Sequence, residues 1–91
     1  MTLLEEVRTA VRVSTTAYDG ELSSLIEAAK IDIHQANVEV DEDDPITRRA
    51  IVLYCRLYFG SPEDFNRLKE AYDEVKMQLG MATGYKVVDE A

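Results

Sequence analysis

Ninety-one residues, with 46% apolar side chains, allow one small domain with a single core and little spare stability. Eighteen acidic against ten basic side chains give a net charge of −8, which argues against binding nucleic acid by neutralising its phosphates. A lone cysteine, Cys55, excludes an internal disulfide and a cysteine-based zinc site.

The charge is uneven. Residues 39–44 alone carry −5, whereas residues 45–80 sum to +1. The N-terminal stretch lacks a basic segment followed by an apolar run, so no signal peptide is expected. The longest apolar stretch is interrupted by Arg56 and is too short to span a bilayer, so no membrane association is expected.

Thr2-Leu3-Leu4-Glu5 has the form of a capping box, a hydroxyl at the N-cap and a carboxylate three residues on. It opens a first helix over roughly 3–13, with Leu3, Leu4, Val7, Ala10 and Val11 as its apolar stripe. Ser14-Thr15-Thr16 breaks it. Asp19 is the expected N-cap of a second helix, about 20–36, in which Leu22, Leu25, Ile26, Ala29 and Ile33 recur at helical spacing. Glu27, Lys30 and Asp32 fall off that stripe.

Residues 37–44 form an acidic loop in which Val38 and Val40 alternate with acids, leaving room for a short extended piece. Asp44-Pro45 starts the third helix, about 45–59, as a carboxylate cap followed by proline at the first helical position. That helix is apolar nearly all round, which places it at the centre of a bundle or in a subunit interface. Gly60 stops it. Ser61-Pro62-Glu63-Asp64 opens the fourth helix, whose Phe65, Leu68, Tyr72, Val75 and Leu79 are spaced three and four apart, and Gly80 is expected to close it. The fold expected is all-α: a small four-helix bundle over residues 1–80 with a short extended C-terminal tail, 81–91.

The chemistry of catalysis is sparse. A nucleophile with its base, a metal cluster or a phosphate cradle would be needed. His34 is the single histidine, and Ile31 three residues earlier excludes a Glu-x-x-His ligand pair. Gly80 and Gly84 lack the spacing and the lysine of a phosphate loop. The run Glu39, Asp41, Glu42, Asp43, Asp44 fails as a calcium loop. Counting from Asp41 places Pro45, Ile46 and Val52 at the fifth, sixth and twelfth positions. No catalytic residue, metal site or cofactor is expected. Arg49 and Arg56, seven apart, share one stripe of the third helix, with Arg48 beside them; partners for them are expected among carboxylates, within the subunit or in the next.

Three stretches resemble the small head–tail connector, or adaptor, family of siphophages, also described as head-completion or DNA-packaging proteins. The first runs from Leu4-Glu5-Glu6-Val7-Arg8 through Val11-Arg12-Val13, Tyr18-Asp19-Gly20-Glu21-Leu22 and Leu25-Ile26-Glu27-Ala28-Ala29-Lys30. Next comes Pro45 through Ala50-Ile51-Val52-Leu53-Tyr54 to Tyr58-Phe59-Gly60. The last is Phe59 to Phe65, then Tyr72-Asp73-Glu74-Val75-Lys76, Gln78-Leu79 and Ala82-Thr83-Gly84-Tyr85, which is similar to connectors from phages and prophages of Gram-positive bacteria. One departure is the segment before Pro45, where many relatives turn on Gly or Asn and this chain has a longer acidic run.

The resemblance implies a structural, non-enzymatic subunit of a dodecamer-like ring beneath the portal protein, at the head–tail interface of the virion. Such a ring is assembled in the bacterial host cytoplasm after DNA packaging, extends the DNA channel and docks a stopper or tail-completion protein. DNA passes through without specific binding, and the isolated subunit is allowed to be a monomer. Candidate subunit-interface residues are Arg49, Tyr54, Arg56 and Tyr58, on two faces of the third helix. Tyr85, Lys86, Val87 and Val88 are the candidate portal-binding tail. A non-enzymatic helical interaction or regulatory module is the alternative reading.

Overall fold

A computed structural model describes residues 2–35, 39–60 and 62–81. Four helices follow in chain order, α1 (Leu3–Ala10), α2 (Asp19–His34), α3 (Pro45–Tyr58) and α4 (Phe65–Met81), and no strand occurs among the described residues. The expected all-α bundle is therefore present. Tyr85, Lys86, Val87 and Val88 lie outside the described residues.

Local signals account for most of the boundaries. Thr2 and Glu5 form the reciprocal capping box, with the Thr2 amide donating to Glu5 Oε1 at 2.8 Å and the Glu5 amide to Thr2 Oγ1 at 3.2 Å. Asp44 caps α3: its Oδ2 accepts the Thr47 amide at 2.8 Å and the Thr47 hydroxyl at 3.0 Å, and Pro45 supplies the first helical residue. Gly60, at φ 73°, takes the left-handed conformation that ends α3.

Four expectations need correction. First, α1 stops at Ala10, short of residue 13, because Arg12 turns to φ 62°. The Arg12 amide donates to Thr9 O at 3.1 Å and the Val13 amide to Arg8 O at 2.9 Å, the paired bonds of a Schellman ending with arginine where glycine usually stands. Second, Asp19 is the first residue of α2 and caps nothing; Tyr18 precedes it without a side-chain cap. The Asp19 carboxylate is taken instead by Arg8, whose Nε and Nη2 donate to its two oxygens at 2.8 and 3.3 Å. Third, α4 begins at Phe65, because Glu63 and Asp64 form a turn before it. Fourth, Gly80 does not close α4; the helix runs through it to Met81, its last turn anchored by the fully buried Leu79.

α3 is central and packs on α1, α2 and α4, while α1 also rests on α2. Its Thr47, Ala50, Ile51, Leu53, Cys55 and Leu57 are buried. They meet Leu3 and Val7 of α1, Leu22, Ile26, Ala29 and Ile33 of α2, and Leu68, Tyr72 and Leu79 of α4 in one cluster. Most of the apolar girth of α3 is thus covered within the chain; Ile46 and Tyr58 remain 40% and 48% exposed.

Polar ties hold the shell around this core. Arg48 of α3 donates through Nε and Nη2 to Glu6 Oε1 of α1, at 3.1 and 2.8 Å, and through Nη1 to the Glu42 carbonyl at 3.1 Å. Lys30 of α2 bridges Glu27 and Glu42 at 3.1 and 2.9 Å, which draws the acidic loop toward α2. Among the described residues no buried side-chain nitrogen or oxygen lacks a partner.

Candidate functional site

The four candidate interface residues lie on two faces of α3. Arg49 and Arg56 are seven apart and share a stripe, whereas Tyr54 and Tyr58 lie roughly half a turn away from it. Arg49 is exposed and Arg56 half-buried, and neither forms an ion pair among the described residues. Arg48, directly before Arg49 in sequence, differs: its guanidinium is committed to Glu6 and Glu42 of its own chain.

On the tyrosine face, the rings of Tyr54 and Tyr58 sit 4.7 Å apart, and Tyr54 meets Tyr72 of α4 edge-on at 5.5 Å. Tyr54 is half-buried, so much of it serves the subunit's own packing, and burial, with Tyr58 and Asp32 nearby, raises its hydroxyl pKa. Tyr58 is the more available of the two.

Close to this face lies a polar cluster that no local pattern announced. The Tyr72 hydroxyl and Lys76 Nζ both donate to Asp32 Oδ2 of α2, the second at 3.1 Å, and the Lys76 ammonium stands 5.3 Å from the centre of the Tyr72 ring. Burial pushes the Asp32 carboxyl upward, but the hydrogen bonds from Tyr72 and Lys76 outweigh it and hold the pKa below the ordinary carboxylate value. Burial, followed by the same Asp32 bond, raises the Tyr72 hydroxyl.

On the arginine face, Arg56 opens into a groove of about 800 Å³ between the end of α1 and the start of α4. Arg12, Phe59 and Leu68 line it with Arg56, and the Arg67–Asp64 ion pair, 2.8 Å long, stands beside them. Phe59 is held from the other side by the Tyr18 ring, edge-on at 5.6 Å. Arg12, Phe59 and Arg67 went unrecognised as candidates in the sequence, because only the packing of α1 against α3 brings Arg12 to Arg56.

The remaining reactive side chains are separated by environment. His34 is exposed at the end of α2. Cys55 is buried in α3, and burial alone pushes its thiol up to about 12. Among the described residues no group of three or more His, Cys, Asp or Glu is placed to hold a metal ion, and no helix is long and apolar enough to cross a membrane.

A family model described as phage connector protein matches residues 3–86, a span that takes in all four helices. The chain belongs to the phage connector family. This family places the protein in bacteriophage assembly with a head–tail connector role, as the three sequence stretches implied. Neither the curated proteins nor the solved structures contain a match.

Proposed function

We propose that this connector is a structural, non-enzymatic ring subunit that sits beneath the portal protein, continues the DNA channel and presents a docking surface to a stopper or tail-completion protein. The observation that carries the reading is the family match over residues 3–86. Three features support it. A closed ring needs two different patches on each subunit, and α3 carries two, one with Arg49 and Arg56, which form no ion pair among the described residues, and one of tyrosines. A net charge of −8 suits a wall past which a polyanion must slide without adhering. The buried Cys55 thiol, un-ionised at neutral pH, is a packing group and not a nucleophile.

Tyr85, Lys86, Val87 and Val88 are proposed to grip the portal, by adding a short strand to one of its edges. Assembly follows packaging, in the host cytoplasm, and the finished ring lies at the head–tail interface of the virion. DNA threads the lumen with no specific contact.

Electron microscopy of the full chain mixed with its portal tests the reading. Annular density capping the portal is expected; a chain that never associates with the portal overturns it. Removing residues 82–91 tests the tail. Circular dichroism of the shortened chain should be unchanged while portal binding weakens, and undiminished binding would remove that role.

A further inference from the structure

The arginines of this acidic chain are unequally partnered. Arg8, Arg48 and Arg67 each hold a carboxylate of their own subunit, whereas Arg12, Arg49 and Arg56 hold none among the described residues. Two of the unpaired three, Arg12 and Arg56, face the same groove. Of the acids lining that groove, Asp64 is ion-paired to Arg67 and is also stabilised at longer range by Arg56, and Glu63 forms no ion pair among the described residues, so the groove's three arginines outnumber its two acids. Arg12 also stands in the left-handed conformation, at φ 62°, where glycine would meet no steric cost. An arginine kept at such a position puts a charge at the mouth of the groove against the backbone preference.

The opposite imbalance lies at the other end of α3. Glu39, Asp41 and Asp43 are exposed and form no ion pair among the described residues, while Glu42 is held by Lys30. Ile46, exposed in the first turn of α3, adds an apolar side chain next to them. Fourteen residues of helix separate the loop from the groove, about 20 Å of rise, so one subunit cannot bring the two together.

We propose that the Arg12–Arg56 groove of one subunit receives the acidic 39–43 loop of a second copy, with Ile46 set against Phe59. The occupant is chosen by charge complementarity: the exposed carboxylates Glu39, Asp41 and Asp43 precede the start of α3, and the groove arginines Arg12 and Arg56 gather near its end. Such a contact joins unlike patches and is therefore head-to-tail, the kind that closes into a ring. It rests on the ring reading above and assigns that ring its contact.

Charge reversal in the full-length chain tests it. One variant carries Arg12→Glu and Arg56→Glu, a second carries Asp41→Lys and Asp43→Lys, and a third carries all four. Thermal melting establishes that each is folded; should the half-buried Arg56→Glu prevent folding, Arg12→Glu alone, at an exposed position, takes its place in the first and third variants. Each chain is mixed with the portal and scored by electron microscopy for portals bearing rings. Either reversal alone should reduce ring-bearing portals by about tenfold or more, since like charges then oppose each other. The combined variant should recover them, whatever the number of subunits.

Rings at the wild-type level from either single-sided variant overturn the contact and leave the connector reading intact. Loss without recovery in the combined variant overturns it as well, because the groove then serves the portal, the stopper or another partner. If the wild-type chain itself forms no ring on the portal, the ring reading fails and this contact falls with it.

Discussion

Replacing Tyr72 by phenylalanine isolates the hydroxyl that ties α4 to α2. The ring is 2% exposed and would stay where it packs against Tyr54, so the change deletes one hydrogen bond to the Asp32 carboxylate. Net values for bonds to charged groups run about 1.5–3 kcal/mol. Asp32 retains Lys76 at 3.1 Å, and its side chain is 32% exposed, so the value falls to the bottom of that range or just under it, about 1–2 kcal/mol. In a domain this small each kcal/mol moves the melting temperature by roughly 4–8 °C, so Tyr72→Phe should melt about 4–16 °C lower. Urea titration should show a lower midpoint at unchanged slope. A pH series adds a second readout. The folded pKa of Asp32 lies below its unfolded value of about 3.9, so the stability it contributes is complete above that value. It is lost as pH falls through the folded pKa. The gap between wild type and variant should therefore be constant from neutral pH down to about 5 and shrink below 4. A variant within about 0.3 kcal/mol of wild type at pH 7, or a gap that widens in acid, would refute the reasoning.

Asp44→Ala removes the cap of α3 and strands the Thr47 hydroxyl; urea titration should show a loss of about 1–2 kcal/mol, and Asp44→Asn a smaller one. Arg12→Gly relieves a left-handed arginine and should raise stability by about 1 kcal/mol; a lower melting temperature would contradict the Schellman assignment. The same substitution should weaken ring formation, so that stability and assembly move in opposite directions. Cys55, buried with its thiol pushed up to about 12, should react with a thiol reagent at pH 8 orders of magnitude more slowly in the native protein than in denaturant; equal rates would show that α3 is not packed as described.

The helices were legible because each carries a local signal with a mechanism. The Thr2–Glu5 box, the Asp44-Pro45 start and Gly60 at φ 73° each act within a few residues and hold as read. The errors fall where a distant group competes. Asp19 looks like a cap in isolation, yet its carboxylate is claimed by Arg8 eleven residues upstream. Gly80 looks like a helix stop, yet Leu79 buries and carries the helix past it. Arg12 carries no sign of a left-handed turn, because arginine is not the residue such turns favour. Juxtapositions between helices, Asp32 with Tyr72 and Lys76 or Arg12 with Arg56, are properties of the packing, and no spacing along the chain encodes them.

What α3 does differs in one respect from what its composition suggested. A helix apolar nearly all round suits the centre of a bundle or a subunit interface, and the second would make sister subunits part of its burial. In the folded chain α1, α2 and α4 cover most of it, and a fully buried Ile51 and Leu57 leave little apolar surface owed to a neighbour. A subunit with its core already closed can fold before it assembles. Contacts made late, between folded subunits, then draw on what the surface still offers: exposed apolar side chains such as Ile31, Met77, Tyr58 and Ile46, the groove beside Phe59, and the charges of the acidic loop and the groove. Exposed charge pairs are individually weak and screened by salt. The proposed ring, if built on them, would gain stability from closure and from the portal beneath it and not from any single contact. Under the proposed function, folded subunits would then stay apart until a portal gathers them, which is the order of events such a ring needs if the channel is to remain open while DNA enters.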